Sequence, residues 1–133
     1  MIVLDTHVWV WWIGNPEKLS KRARDIVQQA RKDDVIYLSS ISVWEVTLLV
    51  AKGRLHLTMD VGDWIARSEA LPFFHFLPVD NHIAQRAVLL PEPLHNDPAD
   101  RMIIATAMSL GADLVTKDRK IRNQQLWVKQ VEQ

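Results

Sequence analysis

The sequence has no cysteine, and this absence removes several classes of function at once. Disulfide frameworks, thiolate nucleophiles and Cys-rich zinc sites are excluded, and a chain without them suits a reducing compartment. The chain also has no excess of either charge, because 16 Lys and Arg residues balance 16 Asp and Glu residues to a formal net charge of zero. A global basic field for nucleic acid is therefore excluded, and any polyanion must be bound by a local cluster of cations.

Long apolar runs are absent as well. The longest extends from Val8 to Ile13, far short of the roughly 18 residues that a membrane-spanning helix needs. The first residues lack the basic start and the small-residue cleavage site of a signal peptide, so we expect a cytoplasmic protein without membrane contact. The chain has 133 residues, 48% of them hydrophobic, and neither repeats nor linkers, which predicts a single domain over residues 1–133.

Short β-branched runs alternate with helical periodicity along the whole chain. Strands are predicted at 1–4, 35–38, 73–79, 114–116 and 126–131, and helices at 7–13, 20–32, 43–52, 60–71, 80–90 and 97–110. Gly53 and Gly111 stand where C-terminal helix caps are expected. The alternation predicts an α/β fold with a mainly parallel central sheet flanked by helices.

Five acidic residues are predicted at one edge of this sheet, beyond the carboxyl ends of the strands, where open α/β sheets bind ligands. They are Asp5, Glu45, Asp97, Asp100 and Asp118. Two carboxylates about 4 Å apart repel by on the order of 4 kcal/mol at an effective dielectric near 20, so such a group needs a divalent cation. Oxygen ligands without cysteine favour Mg²⁺ or Mn²⁺, which in such sites promote attack of water on a substrate phosphate.

Each acid also has a simpler structural explanation. Asp5 can end a strand as a turn or cap residue, and Glu45 stands three residues after a serine, in the spacing of a capping box. Asp97 precedes a proline and is a good N-cap, while Asp100 can complement the dipole of the same helix. Asp118 can form a surface ion pair with a neighbouring cation. These structural explanations are independent of one another and would not often place all five acids at one predicted edge. The common position of the acids therefore favours a shared site.

Four segments, in this order along the chain, resemble a known family. They are Leu4-Asp5-Thr6-His7 with the tryptophan-rich helix after it, Ser39-Ser40 through Trp44-Glu45-Val46, Leu94-His95-Asn96-Asp97-Pro98-Ala99-Asp100-Arg101 into Ile103-Ile104-Ala105, and Leu114-Val115-Thr116-Lys117-Asp118. The sequence resembles the PIN-domain ribonucleases, and in particular the toxin subunits of VapBC-type bacterial toxin-antitoxin pairs. The segments span nearly the whole chain.

The resemblance implies a PIN-like fold and a metal-dependent endoribonuclease, a hydrolase that uses Mg²⁺ or Mn²⁺ to cleave RNA phosphodiesters. It implies catalytic, metal-binding and supporting positions, which are Asp5, Glu45, Asp100 and Asp118 for catalysis and metal, Asp97 for metal, and Thr6 and Thr116 as supporting hydroxyls. The two hydroxyls would orient carboxylates or water, although a threonine after a strand can equally serve as a cap.

The resemblance also implies an RNA substrate, a cognate antitoxin and a homodimer. The candidate contacts for protein partners are Trp11, Trp12 and Trp44. Because RNA needs cations against its phosphates, local basic residues are required near the acids. The candidates, which could equally be solvated charges, are Arg101, Lys117, Arg119, Lys120 and Arg122.

Two other functions remain open from the residues alone. A receiver-like Mg²⁺-dependent signalling domain also has an acidic pocket, but it needs an adjacent acidic pair after the first strand, where Asp5 stands alone. A non-catalytic PIN-type binding module would keep the scaffold without the reaction. A dehalogenase-type phosphatase is disfavoured, because its second aspartate would stand where the sequence has His7.

Overall fold

Strands and helices alternate in the computed structural model, which describes residues 1–91, 97–117 and 130–132. The strands are β1 (Ile2–Leu4), β2 (Ile36–Ser39), β3 (Phe74–Leu77), β4 (Asp113–Thr116) and β5 (Gln130–Glu132). The helices are α1 (Thr6–Gly14), α2 (Lys21–Lys32), α3 (Ser40–Ala51), α4 (Val61–Glu69), α5 (Asn81–Val88) and α6 (Pro98–Leu110), with a 3₁₀ turn at Pro16–Lys18.

The strands form one sheet in the order β3-β2-β1-β4-β5, and every pairing is parallel. β2 and β3 lie on one side of β1, and β4 and β5 lie on the other. The direction in which successive strands are added to the sheet therefore reverses between β1 and β4. In open α/β sheets such a switch point leaves a crevice at the carboxyl ends of the two strands. The predicted α/β fold with a parallel central sheet is confirmed.

Helices cover both faces of the sheet, and β1 supplies core residues to each. Ile2 and Leu4 pack on the face formed with α1, α2 and α4, where Trp9 is fully buried. Val3, pointing the opposite way because side chains alternate along a strand, packs with Ile103 of α6. This two-sided burial explains why the strand is an uninterrupted apolar run.

The start of α3 differs from the prediction. The helix begins at Ser40 rather than at residue 43, because β2 passes directly into it and the Ser39 hydroxyl accepts the Ile41 N–H at 3.2 Å. Ser42 therefore lies inside the helix, and the capping box that it was expected to form with Glu45 is wrong. Glu45 is thus not needed to cap its helix.

Most other predicted elements are present with boundaries shifted by a few residues. The uncertain 73–79 run forms β3, paired in register with β2. Gly111 closes α6 with a φ of 64°, and Gly53 follows α3 with a φ of 70°, both in the left-handed region that glycine favours. Of the predicted last strand, residues 126–129 lie outside the described residues. In the described part of the chain, every helix is too short or too polar to cross a membrane.

Candidate active site

Asp5 lies at the carboxyl end of β1, and both of its carboxylate oxygens are engaged. Its Oδ1 accepts the Val8 N–H at 2.9 Å and so caps α1. Its Oδ2 accepts a hydrogen bond from the Thr116 hydroxyl, at the end of β4, and another, at 3.3 Å, from the Lys117 N–H. The carboxylate thus fastens together the two strands that flank the crevice. The capping role and the site role expected of Asp5 are compatible, since a carboxylate has about four acceptor positions.

Burial makes the charge of Asp5 costly in the absence of a cation. The side chain is only 6% exposed, and desolvation raises the pKa of its carboxyl above the usual value for aspartate. The hydrogen bonds from Thr116 and Val8, the charge of His7 and the Lys117 N–H oppose this rise without cancelling it. A buried, hydrogen-bonded carboxylate whose charged form is disfavoured is well suited to a nearby divalent cation.

A second acidic group is formed by Glu45, Asp97 and Asp100. Oxygen atoms of the three carboxylates lie within 4.8 Å of one another, and all three side chains are half-buried. Glu45 belongs to α3, which leaves the carboxyl end of β2, whereas the two aspartates belong to the start of α6, which packs against α3 and leads back into β4. Residues that are far apart in sequence are therefore brought to the same edge of the sheet. Among the described residues, Asp5 is not within this tight group.

Asp97 has two roles in this arrangement. Its Oδ1 accepts the N–H groups of Ala99 and Asp100 at 2.8 and 3.2 Å, and Pro98 occupies the first turn of α6. The predicted N-cap is therefore confirmed. The cap fixes the carboxylate of Asp97 at the start of the helix, where it also faces Glu45, so capping does not exclude binding of a cation.

The group opens into a cavity of about 450 Å³ between α3 and α6. The walls are mostly apolar, and they are formed by Ile41, Trp44, Leu48, Leu49, Pro98, Ala99 and Met102. Arg54 also lines the cavity, as do Glu45 and Asp97. Arg54 follows the end of α3 and belongs to no motif, so the sequence alone gives no signal for it. Trp44 is 56% exposed at the rim, which is unusual for so large an apolar side chain.

The remaining predicted site residues are the last acid, Asp118, and the cations predicted to contact phosphate. Asp118, together with the cations Arg119, Lys120 and Arg122, lies outside the described residues. The Arg101 guanidinium donates to the carbonyl oxygens of Ala87 and Val88 at 2.8 and 3.0 Å. Arg101 therefore stabilises the C-terminal end of α5, and the phosphate contact suggested by its position next to Asp100 stays a prediction.

The donor set fits a hard divalent cation. The three clustered ligands are all carboxylates, as Mg²⁺ and Mn²⁺ prefer, and the chain has no cysteine that would favour a softer metal. Three negative charges within 4.8 Å of one another also repel strongly unless they are neutralised. The residues present therefore fit the metal that the sequence predicts.

A buried hydroxyl pair links the residue after Asp5 to the helix that carries Glu45. The Thr6 hydroxyl donates to Oγ of Ser42 at 3.0 Å, and both side chains are almost fully buried. Thr6 follows Asp5 in the chain, and Ser42 lies one helical turn before Glu45 on α3. The hydrogen bond therefore sets the position of α3 relative to the start of α1.

Replacing Ser42 by alanine leaves the buried Thr6 hydroxyl without this acceptor. We expect the free energy of unfolding to fall by roughly 1–3 kcal/mol, the usual effect of leaving a buried polar group unsatisfied. Chemical denaturation measures this loss, and Ser40→Ala, on the same first turn, is the matched control. An unchanged unfolding free energy in Ser42→Ala would contradict a joining role for the pair.

The sequence of this chain matches a known protein family and a ribonuclease. Residues 2–125 match the model of the PIN domain family. The chain is 34% identical over 122 residues to Ribonuclease VapC22 of Mycobacterium tuberculosis (strain ATCC 25618 / H37Rv), covering 92% of this chain and 90% of that protein.

Solved structures agree with this result. FitAcB from Neisseria gonorrhoeae is 27% identical with a TM-score of 0.65, over 90% of this chain and 89% of that one. VapBC2 from Rickettsia felis, bound to a DNA fragment from its promoter, has a TM-score of 0.72 at 18% identity, over 100% of this chain and 99% of that one, and shows the fold alone. The resemblance inferred from four sequence segments is confirmed: this chain belongs to the PIN-domain family.

Proposed function

We propose that this chain is a divalent-metal-dependent endoribonuclease and the toxin of a type II toxin-antitoxin pair. The observation that carries the proposal is the convergence of Glu45, Asp97 and Asp100 within 4.8 Å, on the helix that follows β2 and the helix that precedes β4 of a parallel sheet. The 34% identity to a protein named Ribonuclease VapC22 supports RNA as the substrate. The resemblance of the four sequence segments to the toxin subunits of VapBC-type pairs supports an antitoxin partner.

The acidic residues have distinct roles in this proposal. Asp5, Glu45, Asp100 and Asp118 hold the ion and organise hydrolysis, and Asp97 contributes a further ligand from its capping position. When bound, Mg²⁺ or Mn²⁺ supplies positive charge that activates water and offsets the charge developing on the phosphodiester. The carboxylates orient the attacking water in line with the leaving oxygen.

Two hydroxyl groups keep the acids in place. Thr116 donates to Asp5 and thereby fixes the orientation of this buried carboxylate. Thr6 donates to Ser42 and holds the helix that carries Glu45. Neither hydroxyl needs to touch the substrate for this role, so we assign both as positioning residues.

The exposed tryptophan side chains bear on the protein partners of this chain. We infer a cytoplasmic, single-domain protein that forms a homodimer and binds its antitoxin through exposed aromatic surface. Trp44 is the strongest candidate contact because it is 56% exposed, whereas Trp11 and Trp12 are half-buried.

The two alternative functions are affected differently by the structure. Receiver-like domains have the strand order 2-1-3-4-5, whereas this sheet has the order β3-β2-β1-β4-β5, so the receiver-like alternative is wrong. A non-catalytic PIN-type module has the same fold as a nuclease and differs only in activity. A cleavage assay therefore decides between the two.

We expect the purified chain to cleave single-stranded RNA in the presence of Mg²⁺ or Mn²⁺, and we expect cleavage to stop when EDTA is added. A Glu45→Gln preparation, purified identically, controls for contaminating nucleases. Expression in bacteria should arrest growth for the wild type and not for the variant. Cleavage that persists in EDTA, or equally in both preparations, would contradict the proposal, and a wild type that binds metal but never cuts would favour the non-catalytic module.

A further inference from the structure

Two lysine ammonium groups lie over the indole ring of Trp11. The Nζ atom of Lys117 is 4.9 Å from the ring centroid, and the Nζ atom of Lys18 is 5.9 Å from it. The ring of His7, one helical turn earlier on α1, meets the same indole edge-on with centroids 6.1 Å apart. Because a cation is attracted to an aromatic face within about 6 Å, the indole attracts both ammonium groups.

This basic cluster, formed by Lys18, Trp11 and Lys117, adjoins the carboxylate site. The backbone N–H of Lys117 donates to Oδ2 of Asp5 at 3.3 Å. Trp11 belongs to α1, the helix that Asp5 caps. The cluster therefore begins at the buried carboxylate and extends along the flank of α1, with both lysines exposed to solvent.

The arrangement places two exposed cationic side chains beside the buried carboxylate of Asp5. The chain has no net charge, so it can hold RNA only through cations concentrated near the site. Two cations that contact one indole are matched by anions that follow one another along a strand. Consecutive phosphates of a single strand provide such anions, and the strand must in any case pass Asp5.

We propose that Lys18 and Lys117, held on the indole of Trp11, bind phosphates of the RNA strand next to the scissile bond. The inference rests on the proposed function, since it takes RNA as the substrate. Lys117 was a candidate phosphate contact from its sequence position, whereas the geometry adds Lys18 and assigns Trp11 as the positioning residue for both. An acidic segment of a protein partner is the competing occupant, and the experiment separates the two.

Salt dependence of RNA binding tests the proposal directly. Binding of a labelled single-stranded RNA is measured by fluorescence anisotropy in EDTA at several salt concentrations, with Glu45→Gln as the common background so that the strand stays intact. Each phosphate contact to a single strand contributes about 0.7 to the slope of log K against log salt. Lys18→Ala/Lys117→Ala should therefore lower the slope by about 1.4 and weaken binding on the order of 10-fold at 0.1 M salt.

Two sets of controls distinguish the cluster from general charge and from folding. Lys32→Ala/Lys52→Ala removes two exposed lysines elsewhere and should leave the slope unchanged. Trp11→Leu should lower the slope of log K against log salt. Trp11→Phe keeps an aromatic face and should have the slope of the parent protein. In the otherwise wild-type enzyme, loss of the two lysines should raise KM with little change in kcat.

The proposal is overturned if the slope is unaffected in Lys18→Ala/Lys117→Ala, or if it falls equally in the Lys32→Ala/Lys52→Ala control. It is also overturned if the lysine variants bind RNA normally and lose only the protein partner, because the cluster is then a protein interface. Absence of cleavage by the wild type is a separate outcome. It counts against the proposed function, while the binding slopes still decide the role of the lysines.

Discussion

Glu45→Gln is expected to reduce metal-dependent RNA cleavage by about 10²- to 10³-fold, the usual effect of removing one preorganised electrostatic group. The same change should raise the Tm of the metal-free protein. At 4.8 Å, two unit charges repel by about 3 kcal/mol at an effective dielectric near 20, and the substitution removes one charge from a group of three. Loss of activity together with a gain in stability is the expected pattern for a carboxylate placed to bind a cation.

The matched control is Glu69→Gln, which neutralises an exposed glutamate at the end of α4. Neither activity nor Tm should change appreciably in this variant. Thermal unfolding in EDTA and initial cleavage rates in Mn²⁺ measure the two effects. A Glu45→Gln protein that retains full activity would remove Glu45 from the site, and a lowered Tm would mean that its charge stabilises the fold by another contact.

Asp5→Asn is expected to abolish cleavage, with a loss of at least about 10²-fold, while the chain still folds. Asparagine retains an oxygen for the Val8 N–H, so the cap of α1 survives. Its amide nitrogen replaces the oxygen that accepts from Thr116 and Lys117, which costs hydrogen bonding but removes a desolvated charge. Circular dichroism and cleavage rates, with Asp25→Asn as an exposed control on α2, measure the outcome. An active Asp5→Asn enzyme would contradict the assignment.

The pH dependence of stability gives a second measure of Asp5. Burial raises the pKa of its carboxyl, so in the metal-free protein the folded state binds a proton more tightly than the unfolded state. The contribution of Asp5 to stability is therefore greatest at acidic pH, falls as the pH rises from about 3.8 through the folded-state pKa, and then stays constant. The Tm difference between wild type and Asp5→Asn in EDTA should follow this curve. A difference independent of pH would contradict it.

The sequence predicted the sheet and its acidic edge because both depend on local patterns. Strands buried on two faces are uninterrupted apolar runs, as at 1–4, and the Asp97-Pro98 pair with Gly111 delimits a helix without reference to the rest of the chain. The parallel topology then placed Glu45 near the start of α6. These steps need only periodicity, caps and the direction of strands.

Other features depended on contacts between distant residues and could not be predicted. Ser42 has the sequence signature of a capping box, but its hydroxyl accepts from Thr6 of another helix. Arg101 stands beside Asp100 in sequence, yet its side chain reaches back to the end of α5. The position of Lys18 over Trp11 likewise depends on how the chain turns after α1. Side-chain direction in each case follows from packing, which a local pattern does not contain.

The central claim is that the clustered carboxylates form a binding site for a divalent cation. Isothermal titration calorimetry of Mn²⁺ into the metal-free chain tests it most directly. We expect saturable binding to the wild type, binding weakened at least about 10-fold in Glu45→Gln/Asp100→Asn, and unchanged affinity in an Asp25→Asn/Glu69→Gln control that removes the same charge elsewhere. Equal affinity in the wild type and in Glu45→Gln/Asp100→Asn would contradict the claim.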